Sequence, residues 1–311
     1  MKLSIVVPCY NEEKTLEKFY MKVQETLRYC DFSFELLLIN DGSKDKTQQI
    51  MDSLASKDSR VRFVSFSKNF GKEAAMLAGM TYAKGDNVIL MDADLQHPPS
   101  LIPEMVEKAK LGYDQVIAKR NRHGEAFSRS LFTRMYYKII NSLVDVELTD
   151  GIGDFRLLSR KAVDSLLQLK EFNRFSKGLF SWIGFNEYII EYDNVVREDG
   201  DSKWAFTHLL NYGIDGVISF NNKPLRIAIY LGLIVTFFDI LYVLFMLVRI
   251  IMLGVDVPGY FTTIAAILLI GGLQLFFMGI VGEYIGRIYY EVKQRPHYIV
   301  KKTSEMNDSE E

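Results

Sequence analysis

Short apolar runs alternate with stretches of helical period along the N-terminal part of the chain. Strand-like runs lie at Leu3–Pro8, Phe34–Asn40, Val61–Phe66, Asn87–Met91 and Gln115–Ala118. Amphipathic stretches near 12–29, 45–57, 72–84 and 100–110 separate them. This alternation predicts an α/β fold with a doubly wound, mostly parallel sheet. Ligands of such sheets bind at the carboxyl ends of the strands, so we expect the functional site there.

Two much longer apolar stretches follow near the C-terminus, at Ile227–Val248 and Tyr260–Gly282. At about 1.5 Å per residue, either stretch as a helix is long enough to cross a hydrocarbon core of about 30 Å. The alternative, a buried core hairpin, is disfavoured because no downstream segment could cover it. The pattern therefore predicts two transmembrane helices, at about 227–250 and 260–283.

Charges flanking these stretches predict their orientation. The loop at 253–259 has no Lys or Arg, whereas basic residues precede the first stretch and follow the second. The positive-inside rule therefore predicts that both termini are cytoplasmic. Asp239 within the first stretch is costly in lipid unless it faces protein or water, so we expect helix packing and a homo-oligomer.

Four regions follow from these patterns. Residues 1–198 are the predicted cytoplasmic domain, and 227–286 are the predicted membrane hairpin. Apolar residues at helical spacing in 199–226 predict an amphipathic juxtamembrane helix lying on the bilayer, with a plain linker helix as the alternative. Residues 287–311 form a cytoplasmic tail, which we expect to be disordered after Lys302 because it is polar and acidic.

Bulk composition narrows the function classes. The net charge of −2 and pI near 6.2 give no global attraction to nucleic acid. Two cysteines, Cys9 and Cys30, indicate a reducing compartment and no disulfide framework. The chain has neither a G-x-G-x-x-G nor a G-x-x-x-x-G-K-[ST] motif, which disfavours a dinucleotide or P-loop site.

Asp92 and Asp94 carry the clearest candidate chemistry. They directly follow the apolar run at 87–91, and their i, i+2 spacing puts both carboxylates on one face of an extended backbone. Two hard oxygen donors there suit a divalent cation that carries phosphates. The alternative is an ordinary acidic turn, which the apolar strand before the pair and the Pro-Pro after it disfavour.

Other polar residues follow the remaining strands and the loops beyond them. Asp41 lies in an Asp-Gly-Ser sequence that equally fits an Asx turn or helix start. Arg120, Arg122 and Arg129 belong to a basic stretch that could hold a phosphate, the alternative being a solvated helix face. Asp154 follows Gly153 and is a further candidate, although it could simply pair with Arg156.

Several motifs together resemble the family 2 inverting glycosyltransferases. They are Val-Val-Pro-Cys-Tyr-Asn-Glu-Glu (6–13), Asn-Asp-Gly-Ser (40–43), Asn-Phe-Gly-Lys-Glu (69–73), Met-Asp-Ala-Asp-Leu-Gln-His-Pro-Pro (91–99) and Gly-Asp-Phe-Arg-Leu (153–157). The resemblance is strongest to the polyprenyl-phosphate branch, which includes dolichyl-phosphate mannose synthases and bacterial bactoprenol glucosyltransferases. It implies a glycosyltransferase A-type fold in a bacterial inner-membrane protein.

The resemblance also implies residue roles. It assigns nucleotide-sugar binding to Pro8, Tyr10, Glu12, Asp41, Lys72 and Asp92. It implies Asp92, Asp94 and Gln96 as the ligands of Mg²⁺ or Mn²⁺. It assigns binding of the acceptor phosphate to Arg120, Arg122, Arg129 and Lys203. Asp154 occupies the position of the catalytic carboxylate, as a base or as a positioning group.

The implied reaction is transfer of one sugar, from UDP-glucose or UDP-N-acetylglucosamine, to undecaprenyl phosphate with inversion, for cell-envelope glycosylation. The chain lacks the Gln-x-x-Arg-Trp motif of processive synthases, which implies a single transfer. Alternatives are another donor, such as GDP-mannose or UDP-aminoarabinose, or a non-prenyl acceptor. A membrane scaffold or flippase component is the non-enzymatic alternative, and it leaves the strand-end motifs unexplained.

Overall fold

A computed structural model describes residues 1–121, 151–193, 223–253 and 259–305. Three candidate site residues, Arg122, Arg129 and Lys203, lie outside the described residues. The predicted juxtamembrane helix at 199–226 also lies outside them, apart from its last few residues.

Eight strands form one mixed sheet in the order β7-β5-β6-β4-β1-β2-β3-β8. They are β1 (Lys2–Cys9), β2 (Ser33–Asn40), β3 (Val61–Phe66), β4 (Asn87–Leu90), β5 (Gln115–Arg120), β6 (Ile152–Ser159), β7 (Glu187–Tyr192) and β8 (Val300–Thr303). The neighbours β4-β1-β2-β3 are parallel, as are β5 and β7, whereas β6 and β8 run antiparallel to their neighbours.

Helices pack on both faces of this sheet. They are α1 (Leu16–Leu27), α2 (Thr47–Lys57), α3 (Lys72–Tyr82), α4 (Ile102–Lys110), α5 (Arg160–Gln168) and α6 (Ser176–Trp182), with a 3₁₀ turn at Pro99–Leu101. Alternate residues of β1 face opposite sides, so Ile5 packs with Phe19 of α1 while Val6 packs with Ala75 of α3. This arrangement confirms the predicted α/β, doubly wound fold.

The first five strands agree with the sequence prediction to within two residues at each end. Three strands were not predicted, and β6 matters most for the site. It inserts antiparallel between β4 and β5, pairing Leu90 with Arg156. The amino end of β6 therefore lies beside the carboxyl end of β4.

Two long helices, α7 (Lys223–Leu253) and α8 (Tyr260–Lys293), occupy the region of the predicted hairpin. Their described apolar side chains are largely exposed, for example Phe238 at 63% and Leu269 at 75%. Within the described residues, Leu269–Lys293 is long and apolar enough to cross a membrane. The first predicted span at about 227–250, the orientation of the termini and the homo-oligomer stay predictions.

The C-terminal segment corrects part of one expectation, because residues 303–305, which follow Lys302, are ordered against the sheet. Strand β8 pairs antiparallel with β3, and the amide of Ser304 donates to the carbonyl of Phe63 at 3.1 Å. Glu305 contacts Arg62 at 2.8 Å and Lys84 at 2.6 Å. The ring of Tyr298 stacks on Phe66, with centroids 4.8 Å apart. The polar composition predicted disorder wrongly for these residues, because pairing of β8 with the edge of β3 and the ion pairs of Glu305 order them.

Candidate active site

The loops that follow β1 and β2 are tied together by side-chain to backbone hydrogen bonds. The amide of Asn11 donates to Ser43 Oγ at 3.0 Å, and the amide of Lys44 donates back to Asn11 Oδ1 at 2.9 Å. The amide of Glu12 donates to Thr47 Oγ1 at 2.9 Å. These contacts fix the position of two candidate donor-binding residues, Tyr10 and Glu12, beside the carboxyl end of β2.

Asp41 follows β2 and is only 3% exposed. Its two carboxylate oxygens accept hydrogen bonds from the amides of Phe70, at 2.6 Å, and Gly71, at 2.9 Å. Those amides precede α3, so Asp41 anchors the start of a helix that is distant in sequence. The sequence had suggested a local Asx turn or helix start as the alternative to ligand binding. Burial raises the pKa of Asp41, and the two amides oppose that shift.

Gly42 allows the loops after β2 and β3 to touch. It adopts a positive φ of 65°, and a Cβ there would lie 2.3 Å from the carbonyl carbon of Lys68. A side chain at this position would therefore meet backbone that cannot move aside as a flexible side chain would. This contact and the Asp41 anchor together determine where α3 begins.

Lys72 is the first residue of α3, and its ammonium bridges two carboxylates. The Nζ atom lies 2.7 Å from Asp92 Oδ1 and 2.8 Å from Asp154 Oδ2. It also donates to Asp92 Oδ2 at 2.9 Å. We call Lys72, Asp92 and Asp154 the Lys72 cluster. It joins three of the sequence-predicted site residues at the carboxyl edge of the parallel strands.

Attraction between the Lys72 ammonium and the two carboxylates stabilises the charged forms of all three residues in the Lys72 cluster. Burial alone raises the pKa of Asp154, but the ammonium of Lys72 outweighs it and holds that pKa well below its usual range. Burial likewise opposes ionisation of Lys72, while Asp92 and Asp154 raise its pKa above its ordinary value. All three groups are therefore charged at neutral pH, and the cluster carries a net charge of about −1.

Asp154 reaches the cluster because β6 is antiparallel. The start of β6 meets the end of β4, which places Asp154 beside Asp92. The Arg156 guanidinium makes other contacts. It donates to the Gly153 carbonyl at 2.9 Å and lies 3.8 Å over the Phe180 ring. The ion pair of Asp154 is thus with Lys72, in contrast to the alternative that paired it with Arg156.

The loop carrying Asp92, Asp94 and Gln96 is held by His97, a residue that the sequence analysis passed over. The amide of Asp92 donates to His97 Nδ1 at 3.0 Å, and the imidazole stacks on Phe155 with centroids 4.9 Å apart. Since Nδ1 accepts this bond, the ring is neutral with its proton on Nε2. Burial lowers the pKa of His97, in agreement with a neutral ring.

The oxygen donors in this loop suit a divalent cation. Asp92 is 29% exposed at its side chain, and the amide of Gln96 donates to Asp94 Oδ1 at 3.1 Å in a tight turn. Mg²⁺ and Mn²⁺ bind through one or two carboxylates when substrate phosphates supply other oxygens. Across the described ranges no cluster of three or more His, Cys, Asp or Glu forms a metal cage. The residues therefore fit a cation held jointly with a diphosphate.

Glu73, which follows Lys72, is a second residue that sequence reasoning missed. Both of its oxygens accept from the amide of Ser176 at 3.2 Å, and Ser176 Oγ also donates to it. Burial and the nearby charge of Asp154 raise the pKa of Glu73 to about 7, and Ser176 and Arg174 limit the shift. This contact joins the start of α3 to the start of α6. Only a structure reveals it, because the two residues are far apart in sequence.

The remaining candidates lie on the same rim or outside the described residues. Pro8 is half-buried near the end of β1, opposite Ile39 of β2. Arg120 ends β5, and its amide donates to the Gly151 carbonyl at 3.0 Å. Arg122, Arg129 and Lys203 are not among the described residues, so the acceptor-phosphate group is only partly located.

Comparisons with known proteins show the family of the chain. Residues 4–167 match the family described as Glycosyl transferase family 2, and residues 223–288 match the family described as GtrB C-terminal hairpin. The chain is 53% identical to the putative glycosyltransferase CsbB of Bacillus subtilis, over 97% of this chain and 92% of that protein. It is 42% identical to the bactoprenol glucosyl transferase of Shigella phage SfII, over 99% of this chain and 100% of that protein. Among solved structures, mannosyl-3-phosphoglycerate synthase from Rubrobacter xylanophilus aligns over 70% of this chain and 72% of its own, with 15% identity and a TM-score of 0.48.

Proposed function

This chain belongs to glycosyl transferase family 2, and from that premise we propose that it transfers one glucose from UDP-glucose to undecaprenyl phosphate with inversion. The observation that carries the proposal is the Lys72 cluster at the carboxyl edge of the sheet, where a nucleotide diphosphate would bind. The choice of glucose and of a polyprenyl acceptor is supported by full-length relatives named bactoprenol glucosyl transferase.

The donor site uses the rim of β1, β2 and β4. We assign the uracil and ribose to Pro8, Tyr10, Glu12 and Asp41, and the diphosphate to Lys72 and Asp92. Asp92, Asp94 and Gln96 would hold Mg²⁺ or Mn²⁺. When bound, the cation neutralises negative charge that builds up on the departing diphosphate.

In the reaction a phosphate oxygen of the acceptor attacks the anomeric carbon while the bond from that carbon to the UDP oxygen breaks. A single displacement converts an α-linked donor into a β-linked product. The two phosphorylated substrates repel each other, so we assign Arg120, Arg122, Arg129 and Lys203 to the acceptor phosphate, whose charge they offset.

Asp154 acts as a positioning and electrostatic group in this scheme. A phosphate monoester has a second pKa of about 6 and is mostly dianionic at neutral pH, so its oxygen attacks without a base. The ammonium of Lys72 outweighs the effect of burial and holds the pKa of Asp154 low, which makes this carboxylate a weak proton acceptor. Its negative charge can instead orient a sugar hydroxyl or stabilise positive charge developing on the ring.

The long exposed helices explain how such an enzyme meets its acceptor. Moving a polyprenyl tail out of a bilayer costs about 0.8 kcal/mol for each CH₂, so the catalytic domain has to work at the membrane surface. Helices α7 and α8 would hold it there, with the catalytic domain and both termini in the cytoplasm of a bacterial cell.

The decisive experiment incubates purified full-length protein in detergent with undecaprenyl phosphate and a panel of radiolabelled UDP- and GDP-sugars, with and without EDTA. We expect organic-extractable label from UDP-glucose, lost on chelation and restored by Mg²⁺ or Mn²⁺. NMR of the product should show a β-anomeric phosphate. Label from another donor alone would mean that the transferred sugar is that donor's and not glucose. Absence of label from every donor would contradict the proposed function.

A further inference from the structure

The Lys72 ammonium contacts two carboxylates that belong to the proposed metal and catalytic groups. It donates a hydrogen bond to Asp92 Oδ2 at 2.9 Å, and it lies 2.7 Å from Asp92 Oδ1 and 2.8 Å from Asp154 Oδ2. The carboxylate that would ligate a cation is therefore already neutralised by a resident cation. A divalent ion arriving at Asp92 has to compete with it.

The backbone of Lys72 is fixed, whereas its side chain is flexible. Asp41 holds the amides of Phe70 and Gly71, so the first turn of α3 cannot shift easily. The Lys72 side chain is 42% exposed and has a flexible four-carbon stem beyond that anchor. Its ammonium can thus leave Asp92 without any rearrangement of the fold.

The balance of charges determines when the Lys72 ammonium leaves Asp92. A divalent cation close to Asp92 would repel the ammonium, and displacing it without a substitute partner is unfavourable. A diphosphate supplies that partner, because its oxygens can accept from Lys72 while they also complete the cation's coordination.

From this geometry we infer that Lys72 is a resident counter-ion that makes metal binding conditional on the nucleotide. The ammonium occupies Asp92 in the ligand-free enzyme, excludes a free divalent cation, and transfers to the diphosphate when metal and nucleotide bind together. This inference rests on the proposed function, since it presumes that the nucleotide diphosphate binds at the Lys72 cluster.

The test measures Mn²⁺ binding directly, from the electron paramagnetic resonance signal of free Mn²⁺, with full-length protein in detergent. Wild type should bind Mn²⁺ weakly alone and tightly with UDP. Lys72→Met removes the competing charge, so its affinity for Mn²⁺ alone should rise at least about tenfold. Lys72→Arg keeps the charge and should resemble wild type.

Lys68→Met is the matched control. Lys68 precedes the same helix and is exposed, and its ammonium lies 5.1 Å from the Phe70 ring instead of contacting Asp92. This variant removes the same charge just before the same helix without disturbing Asp92, so it should leave Mn²⁺ binding unchanged. An equal gain in both Met variants would mean that general charge, and not the Asp92 contact, controls the cation, which would overturn the inference.

The two proposals fail in different ways. If wild type binds Mn²⁺ with UDP but Lys72→Met binds Mn²⁺ alone no more tightly than wild type, the counter-ion inference is wrong and the proposed function stands. If wild type binds no Mn²⁺ even with UDP, both the metal site and the inference are wrong. A circular dichroism spectrum matching that of wild type shows that each variant is folded.

Discussion

Asp154 and Lys72 form an ion pair 2.8 Å long between the start of strand β6 and the first turn of helix α3, which are distant in sequence. Because this pair places a charged carboxylate next to Asp92, Asp154→Asn should reduce the proposed glucosyl transfer by about 100-fold or more while binding of the proposed donor, UDP-glucose, is retained. Product label and calorimetric binding of the donor measure the two effects separately.

Asp164→Asn is the control for that variant, because Asp164 is 59% exposed on α5 and lies far from the cluster in the fold, next to Arg160 at 3.8 Å. Its turnover should match wild type. Near-wild-type turnover of Asp154→Asn would show that this carboxylate has no part in the reaction.

Glu73 should make stability depend on pH. Burial raises its pKa to about 7 in the folded protein, whereas an unfolded Glu has a pKa of about 4.3. Between these values the folded state binds more protons, so the free energy of unfolding falls as pH rises towards 7 and then levels off. Glu73→Gln should remove that component of the fall.

The measurement compares melting temperatures of wild type and Glu73→Gln at pH 5.5 and 8. The difference between the two proteins isolates Glu73 from other titrating groups. Glu17→Gln, at an exposed position on α1, should follow the wild-type curve. If Glu73→Gln also follows it, the buried carboxyl has an ordinary pKa.

Gly42 should be intolerant of a side chain for two separable reasons. A residue other than Gly at φ 65° costs about 1 kcal/mol, and its Cβ would also lie 2.3 Å from the Lys68 backbone. Gly42→Ala should therefore lower the free energy of unfolding by more than about 2 kcal/mol and weaken UDP binding.

Gly112→Ala separates the two contributions, since Gly112 has φ 98° and no atom lies within 4 Å of the place that a methyl group would take. It carries the backbone strain without the clash, so it should destabilise the protein less and leave UDP binding intact. Equal effects of both variants on stability and binding would mean that the loop contact at Gly42 is unimportant.

Tyr298 should stabilise the docked C-terminal segment. Its ring stacks on Phe66 at an interplanar angle of 12°. Tyr298→Ala should lower the free energy of unfolding by about 1–3 kcal/mol, because a half-buried aromatic pair is lost. Tyr29→Ala, at a ring that is 87% exposed, should change it by less than about 0.5 kcal/mol. Equal melting temperatures for the two variants would show that the segment adds nothing to stability.

Local patterns predicted the part of the fold whose residues alternate by simple rules. Strands β1 to β5 are apolar runs bounded by polar turns, and the faces of α1 to α4 follow from helical spacing. The Asp92 region was predictable because an apolar strand before two carboxylates is itself a local signal.

The remaining features depend on partners that no local pattern reveals. Strand β6 carries Asp154 and Arg156 among its apolar residues, and its antiparallel insertion is decided by its neighbours β4 and β5. His97 and Glu73 act through contacts made only after folding. Strand β8 has four residues, two of them Lys, so its order comes from the edge of β3 and not from its own composition.

The position of β8 also determines the order in which the molecule can be completed. Its residues are synthesised after both α7 and α8, yet they belong to the same sheet as β1, the first strand of the chain. The edge of β3 therefore stays unpaired on the ribosome until both helices have emerged. Assembly of the sheet can finish only after the hairpin has been made, which couples maturation of the catalytic domain to placement of its helices.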